Sequence, residues 1–173
     1  MRGRSALVFA IGTIALSHAV MVSIMAMTPV HMTSHGASLT IVGFTISLHI
    51  AGMYALSPVF GILADKLGRV PTVLLGQAIL VAALLTAALG QGSTTAVTVA
   101  LVLLGLGWSA STVAGSTLLT EASAEELRTR RQGRSDLIMS LVAATGAVLA
   151  GVVLGWVGFA GLALIALGIV TIA

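Results

Sequence analysis

An all-α membrane fold, a bundle of six transmembrane helices, is the class this sequence predicts, and three observations predict it. Of 173 residues, 58% are hydrophobic and 8% are charged. Ordinary soluble domains run at about 45–50% apolar and about 25% charged, so a water-soluble surface cannot be assembled from this material. The mean hydropathy of +1.14 agrees. Second, the charge is clumped. Asp, Glu, Lys and Arg are absent from Ser5 through Ala64, from Val70 through Thr120 and from Leu137 to the end. Each gap holds one or more membrane crossings, since a span takes about 20 apolar residues. Third, once the helices are placed, all eight Lys and Arg residues fall on one side of the membrane.

Turn chemistry divides the uncharged stretches into six helices. The first is expected over about 5–29, ending where Thr28-Pro29 and then Thr33-Ser34-His35-Gly36 break the apolar pattern. The second runs over about 38–63 and is closed by Asp65-Lys66-Leu67-Gly68-Arg69. The third covers about 71–90, with Pro71 suited to a first helical turn. Gln91-Gly92-Ser93 makes a polar turn, and the fourth helix covers about 96–120. In the basic segment 121–135, Ser123 followed three residues on by Glu126 has the form of a capping box for a short surface helix. The fifth helix spans about 136–156, and the sixth runs from about Gly158 to Ala173, short for a span. The opening Met1-Arg2-Gly3-Arg4 before a long apolar run is no signal peptide, because the run is too long and no clear cleavage site follows.

Arg2 and Arg4 precede the first helix. Lys66 and Arg69 lie between the second and third, and Arg128, Arg130, Arg131 and Arg134 between the fourth and fifth. The positive-inside tendency therefore puts the N-terminus, the 64–70 loop and the 121–135 loop in the cytoplasm of a cell-membrane protein. The high pI of about 10.7 is then topogenic and implies no nucleic-acid partner. The absence of cysteine excludes a disulfide framework and a thiolate site.

Gly52, then Gly61, Asp65, Lys66, Gly68 and Arg69, fill every position of G-x8-G-x3-D-[RK]-x-G-[RK]. That spacing resembles the signature loop of the major facilitator superfamily of transporters. In physical terms, glycines permit close helix approach and a tight turn, Asp65 suits free N–H groups of a neighbouring helix, and the two cations suit lipid headgroups. The resemblance implies one six-helix half of a twelve-helix fold whose other half is the missing partner. It implies alternating-access transport of a small molecule, with protons the expected coupling ion. It also implies a cytoplasmic latch pairing Asp65 with Arg134 or the start of the fifth helix, and Arg69 with Glu121. Met25-Ala26-Met27-Thr28-Pro29-Val30-His31-Met32 and Leu48-His49-Ile50-Ala51-Gly52-Met53-Tyr54 look like the seventh and eighth helices of some bacterial members. That favours the second half, with Met1 an internal methionine, whereas a Met start taken by itself is the simpler mark of a first half.

Two histidines, His18 and His49, fall near the middle of the first and second helices. Each is either a proton relay or a neutral imidazole bonded to a backbone carbonyl. His18, Met21, Met25, Thr28 and Met32 share one helix face, which suits either packing or a cavity for lipophilic substrates. Without cysteine or a close Met-x-x-Met pair, a soft-metal site is disfavoured and no cofactor is expected. Trp108, mid-helix rather than interfacial like Trp156, lies beside Ser109, Ser111 and Thr112. That face either contacts substrate or packs through Gly107, Ser111 and Gly115. Gly151 and Gly155 read as small-residue packing, a spacing that Gly146 and Ala150 repeat on a neighbouring face. No hydrolase triad order, metalloprotease motif or phosphate loop is present, so an enzyme is not expected. The rival to a transporter half is a non-transporting or self-dimerising six-span protein.

Overall fold

A computed structural model describes residues 3–172. Among them the chain is helical throughout: α1 Gly3–Ser34, α2 Leu39–Tyr54, α3 Ser57–Leu67, α4 Arg69–Leu89, α5 Thr94–Glu121 and α6 Arg128–Val170, with a single 3₁₀ turn at Glu125–Leu127. Five helical stretches are long and apolar enough to cross a membrane, α2 and α3 counting together as Leu39–Leu67. Arg2 and Ala173 lie outside the described residues.

Four boundaries differ from expectation, each for a local reason. α1 continues through Pro29 to Ser34. Proline fits a helix in φ and costs one N–H, a loss tolerated in membrane helices where hydroxyls bind nearby carbonyls. Thr28 donates to Ile24 O at 2.7 Å and Thr33 to Pro29 O at 2.8 Å on either side of the proline, while the carbonyl it frees is that of Met25. The helix stops one turn later at Gly36, φ 84, with Ala37 N–H returning to Met32 O. The expected second helix is two, because Pro58 in the first turn of α3 cannot donate backward and the chain leaves helical geometry at Leu56, φ −100 and ψ 5. Ser57 Oγ bridges the break by donating to Tyr54 O.

The expected fifth and sixth helices belong to one run, α6, broken only at Gly158, where φ is 71 and ψ is −177. The two limbs fold against each other there: Leu141 near one end and Ile169 near the other line the same crevice. The capping box at Ser123 does not form. Its hydroxyl donates back to Leu119 O and accepts from Arg131, which also reaches Ala122 O. Ser93 and Ser38 do cap, each accepting from the N–H three residues on.

α5 is the hub, packed on α1, α2, α3 and α4. Lipid offers no hydrophobic drive between helices, so close packing at small residues decides which pairs meet. At the α2–α5 crossing a Cβ on Gly105 would stand 2.5 Å from His49 O, and one on Gly52 2.8 Å from Val102 O. At the α4–α5 crossing Gly76 and Gly107 play the same part, each facing the other's carbonyl within 3 Å. α6 meets α1 through Gly146, beside Ser23 and Ala19, and through buried Ala150. The expected packing pair Gly151 and Gly155 is exposed. A Cβ on Gly155 would meet nothing, and one on Gly151 only the Met27 sulfur at 3.9 Å.

Candidate functional site

At one end of the bundle a short turn and three helices carry a charge cluster. Gly68 adopts φ 100, a conformation L side chains resist, and this lets α4 follow α3 with only Gly68 between them. Arg69 is thereby placed one turn from Asp65, to which Nη1 donates, and beside Glu121 at the end of α5. Its Nε and Nη2 donate to Glu121 Oε1 at 3.1 and 2.7 Å, so one guanidinium ties α3, α4 and α5 together. The Arg69 side chain is 20% exposed, against 69% for Asp65 and 52% for Glu121. Lys66 is exposed, and neither it nor Arg134 makes an ion pair among the described residues. Asp65 is therefore occupied by Arg69 rather than by Arg134. Within the glycine pattern, Gly52 sits at the α2–α5 crossing and Gly68 at the turn, whereas a Cβ on Gly61 would meet nothing within 4 Å.

Inside the bundle, the Trp108 indole N–H donates to His18 Nδ1 at 2.9 Å. An indole only donates, so His18 must present a bare lone pair at Nδ1 and carry its proton on Nε2. Tyr54, at the end of α2, stands edge-on to Trp108 with ring centroids 6.1 Å apart, and its own ring is largely exposed. Thr112, one turn beyond Trp108, has a buried hydroxyl with no hydrogen-bond partner among the described residues. Next to His18, Ser17 is fully buried and accepts from Gln77 Nε2 at 2.8 Å, which also reaches Ser111 Oγ at 3.1 Å. Gln77 thus joins α1, α4 and α5, while its Oε1 is buried without a partner among the described residues. Sequence reasoning passed over Gln77 and Tyr54. Gln77 is the lone amide side chain inside the apolar helical runs, which is the signal that marks it.

His49 is in different surroundings. It is fully buried at the glycine crossing, and Nδ1–H donates to Leu101 O at 2.7 Å. This is the carbonyl-bonded imidazole, with Nε2 buried and unpartnered among the described residues. Met21 and Met32 are packed in the core, with Met25 against it, so the methionine face of α1 is mostly turned inward. At the opposite end of the bundle His31 stacks on Phe159, centroids 4.3 Å apart and planes at 9°, and donates from Nε2 to Gln91 O. Gln91 Oε1 in turn accepts from Ala160 N–H.

The chain matches the family model of the Major Facilitator Superfamily over residues 8–173. It is 42% identical over 139 residues to the uncharacterized MFS-type transporter YddS of Bacillus subtilis, covering 80% of this chain and 32% of that protein. YdeG of the same organism, also described as an MFS-type transporter, is 38% identical over 151 residues, 87% of this chain and 35% of that one. The riboflavin transporter RfnT of Brucella anthropi is 30% identical over 143 residues, 81% of this chain and 36% of that one. The chain therefore spans about a third of the length of the relatives it matches. The charge cluster on its spaced glycines, the all-helical bundle of membrane-crossing length and these relatives lead to one conclusion: the chain is a multi-pass membrane protein that belongs to the major facilitator superfamily of transporters.

Proposed function

We propose that these residues form one six-span half, the second, of a twelve-span secondary transporter of the cell membrane that moves a small molecule by alternating access, driven by protons. The observation that carries the reading is the Arg69 cluster, which joins three helices at the end where the basic residues gather. The run Glu125–Val170 supports a count of six. As a straight helix its 46 residues would reach about 69 Å, more than twice the hydrocarbon core of about 30 Å. The left-handed Gly158 turns it back at the end where Phe159 meets His31. On this reading the N-terminus, the 64–70 loop and the 121–135 loop face the cytoplasm, and Arg2 and Arg4 join the same side. Assignment to the second half rests on the 25–32 and 48–54 stretches described above.

His18 is the proton site in this scheme. To take a proton at Nδ1 it must lose the Trp108 N–H, so protonation and the α1–α5 contact exclude one another. Tyr54, Trp108 and Thr112 then line the substrate path, and Met21 and Met25 repack as it opens. His49 is tied to Leu101 at a helix crossing and serves to position α2. The named substrate of the riboflavin relative makes planar heteroaromatics the first class to screen.

The test is uptake or efflux by the full-length protein in liposomes under an imposed proton gradient. Transport that follows the gradient, and that His18→Ala uncouples while His49→Ala does not, supports the scheme. Robust transport by the 173 residues alone would overturn the half-transporter reading and favour a self-pairing six-span protein.

A further inference from the structure

Between α1 and the two limbs of α6 lies a crevice of about 470 Å³. Ala19 of α1 forms part of its floor, Leu141, Thr145 and Leu149 one wall, and Ile165 and Ile169 the other. The Thr145 hydroxyl is already spent on Leu141 O at 2.9 Å, so it gives a ligand no free donor. Leu141 is 58% exposed, Leu149 56% and Ile165 49%, which leaves the crevice open sideways among the described residues. From Leu141 to Val153 it follows about 18 Å of helix, close to one bilayer leaflet of about 15 Å.

The same helix face continues into two cations. Arg130, Arg134, Leu141 and Thr145 recur at steps of four, seven and four residues, which keeps them on one stripe of α6, with Arg134 about 10 Å below Leu141. Arg130 and Arg134 are both exposed and make no ion pair among the described residues. The neighbouring Arg131 turns away to Ser123, and Asp136, held by Gln132, lies on the opposite side of the helix. Two free guanidinium groups at the foot of an apolar channel of one-leaflet length match one kind of molecule. We propose that the crevice is a binding site for an anionic phospholipid, with an acyl chain in the channel and the headgroup phosphate between Arg130 and Arg134. The site rests on the cytoplasmic placement of the 121–135 segment and is independent of what the protein transports.

The experiment is native mass spectrometry of the full-length protein in mild detergent, titrated with phosphatidylglycerol or phosphatidylcholine. Phosphatidylglycerol is expected to bind in preference. The double variant Arg130→Gln/Arg134→Gln should weaken it about 30-fold, at roughly 1 kcal/mol per cation near the bilayer surface, and abolish the preference. Thr145→Trp, at the exposed mouth, should displace either lipid, and Val148→Trp, exposed but outside the lining, should displace neither. Equal binding of the two lipids by the unaltered protein overturns the proposal. So does a preference that survives loss of both arginines, or a protein dimer on this face that Thr145→Trp dissociates and lipid does not. Selective phosphatidylglycerol binding by a protein that shows no proton-driven transport would sink the transport reading and leave this site standing.

Discussion

Gly52→Ala and Gly61→Ala alter two positions of one spaced motif and should move stability in opposite directions. A Cβ at residue 52 would stand 2.8 Å from Val102 O and 3.7 Å from Gly105 Cα. Both are backbone atoms of α5 and cannot rotate aside, so restoring ordinary contact at 3.4 Å moves α2 outward by about 0.6 Å. That shift carries the 2.7 Å His49–Leu101 bond beyond the roughly 3.2 Å of good N–H···O geometry. A Cβ at residue 61 would meet nothing within 4 Å. Both substitutions gain the same helix propensity, about 0.5–1 kcal/mol, so the difference between the variants isolates the clash. It should be about 1–3 kcal/mol, with Gly52→Ala the less stable and Gly61→Ala at or above the parent. The measurement is unfolding of the purified protein in mixed micelles titrated with a denaturing detergent, followed by tryptophan fluorescence. Coincident curves for the two variants, or a less stable Gly61→Ala, would refute the assignment of Gly52 to the α2–α5 crossing.

Three further outcomes follow from the geometry. Trp108→Phe removes the N–H that His18 Nδ1 must shed before accepting a proton, so the pH profile of transport in proteoliposomes should move to more alkaline values with the maximal rate largely kept. Gly158→Ala places a side chain at φ 71 and ψ −177, a region essentially confined to glycine. A destabilisation of about 1–3 kcal/mol is expected in the micelle titration. Arg69→Glu and Glu121→Arg should each reduce transport, and the double swap, which rebuilds an opposed pair between α4 and α5, should recover a substantial part of it.

What could be read ahead of the structure follows from the scale on which each feature is encoded. The loops are written in single strong residues: Asp65, Gly68 and Arg69, or Gln91 to Ser93, so their places were legible. Helix partners are not. Gly52 announces a close approach, but only the folded bundle shows that Gly105 and Val102, some fifty positions on, are what approaches. Pro29 marks no end because its φ already suits a helix and it costs only one N–H, a loss that membrane helices tolerate. Gly151 and Gly155 misled for a different reason. A small-residue repeat marks a packing face only if a helix lies against it, and α1 lies against Gly146 and Ala150 instead. Asp65 could be placed at the charged end, yet not its partner, because Arg69 one turn away reaches it before any residue of α6.

The two ends of the bundle are fastened by different chemistry, and this bears on how such a half can move. At the charged end Arg69 binds α3, α4 and α5 through solvent-exposed ion pairs, which salt and competing charges can exchange at small cost. At the other end the fastening is packed: His31 against Phe159, His31 to Gln91, and Gln91 to Ala160 join the end of α1, the α4–α5 turn and the second limb of α6. Between them the α5 crossings bring backbones to distances that admit no added methyl group. A body tied at both ends and close-packed between them resists internal shear. In the proposed transporter, alternating access must therefore come chiefly from rocking of this half against its partner, with the exchangeable ion pairs at the charged end as the contacts that can be remade. The His18–Trp108 bond lies inside this half, so its loss on protonation is a local change between α1 and α5 that the rest of the packed body can absorb.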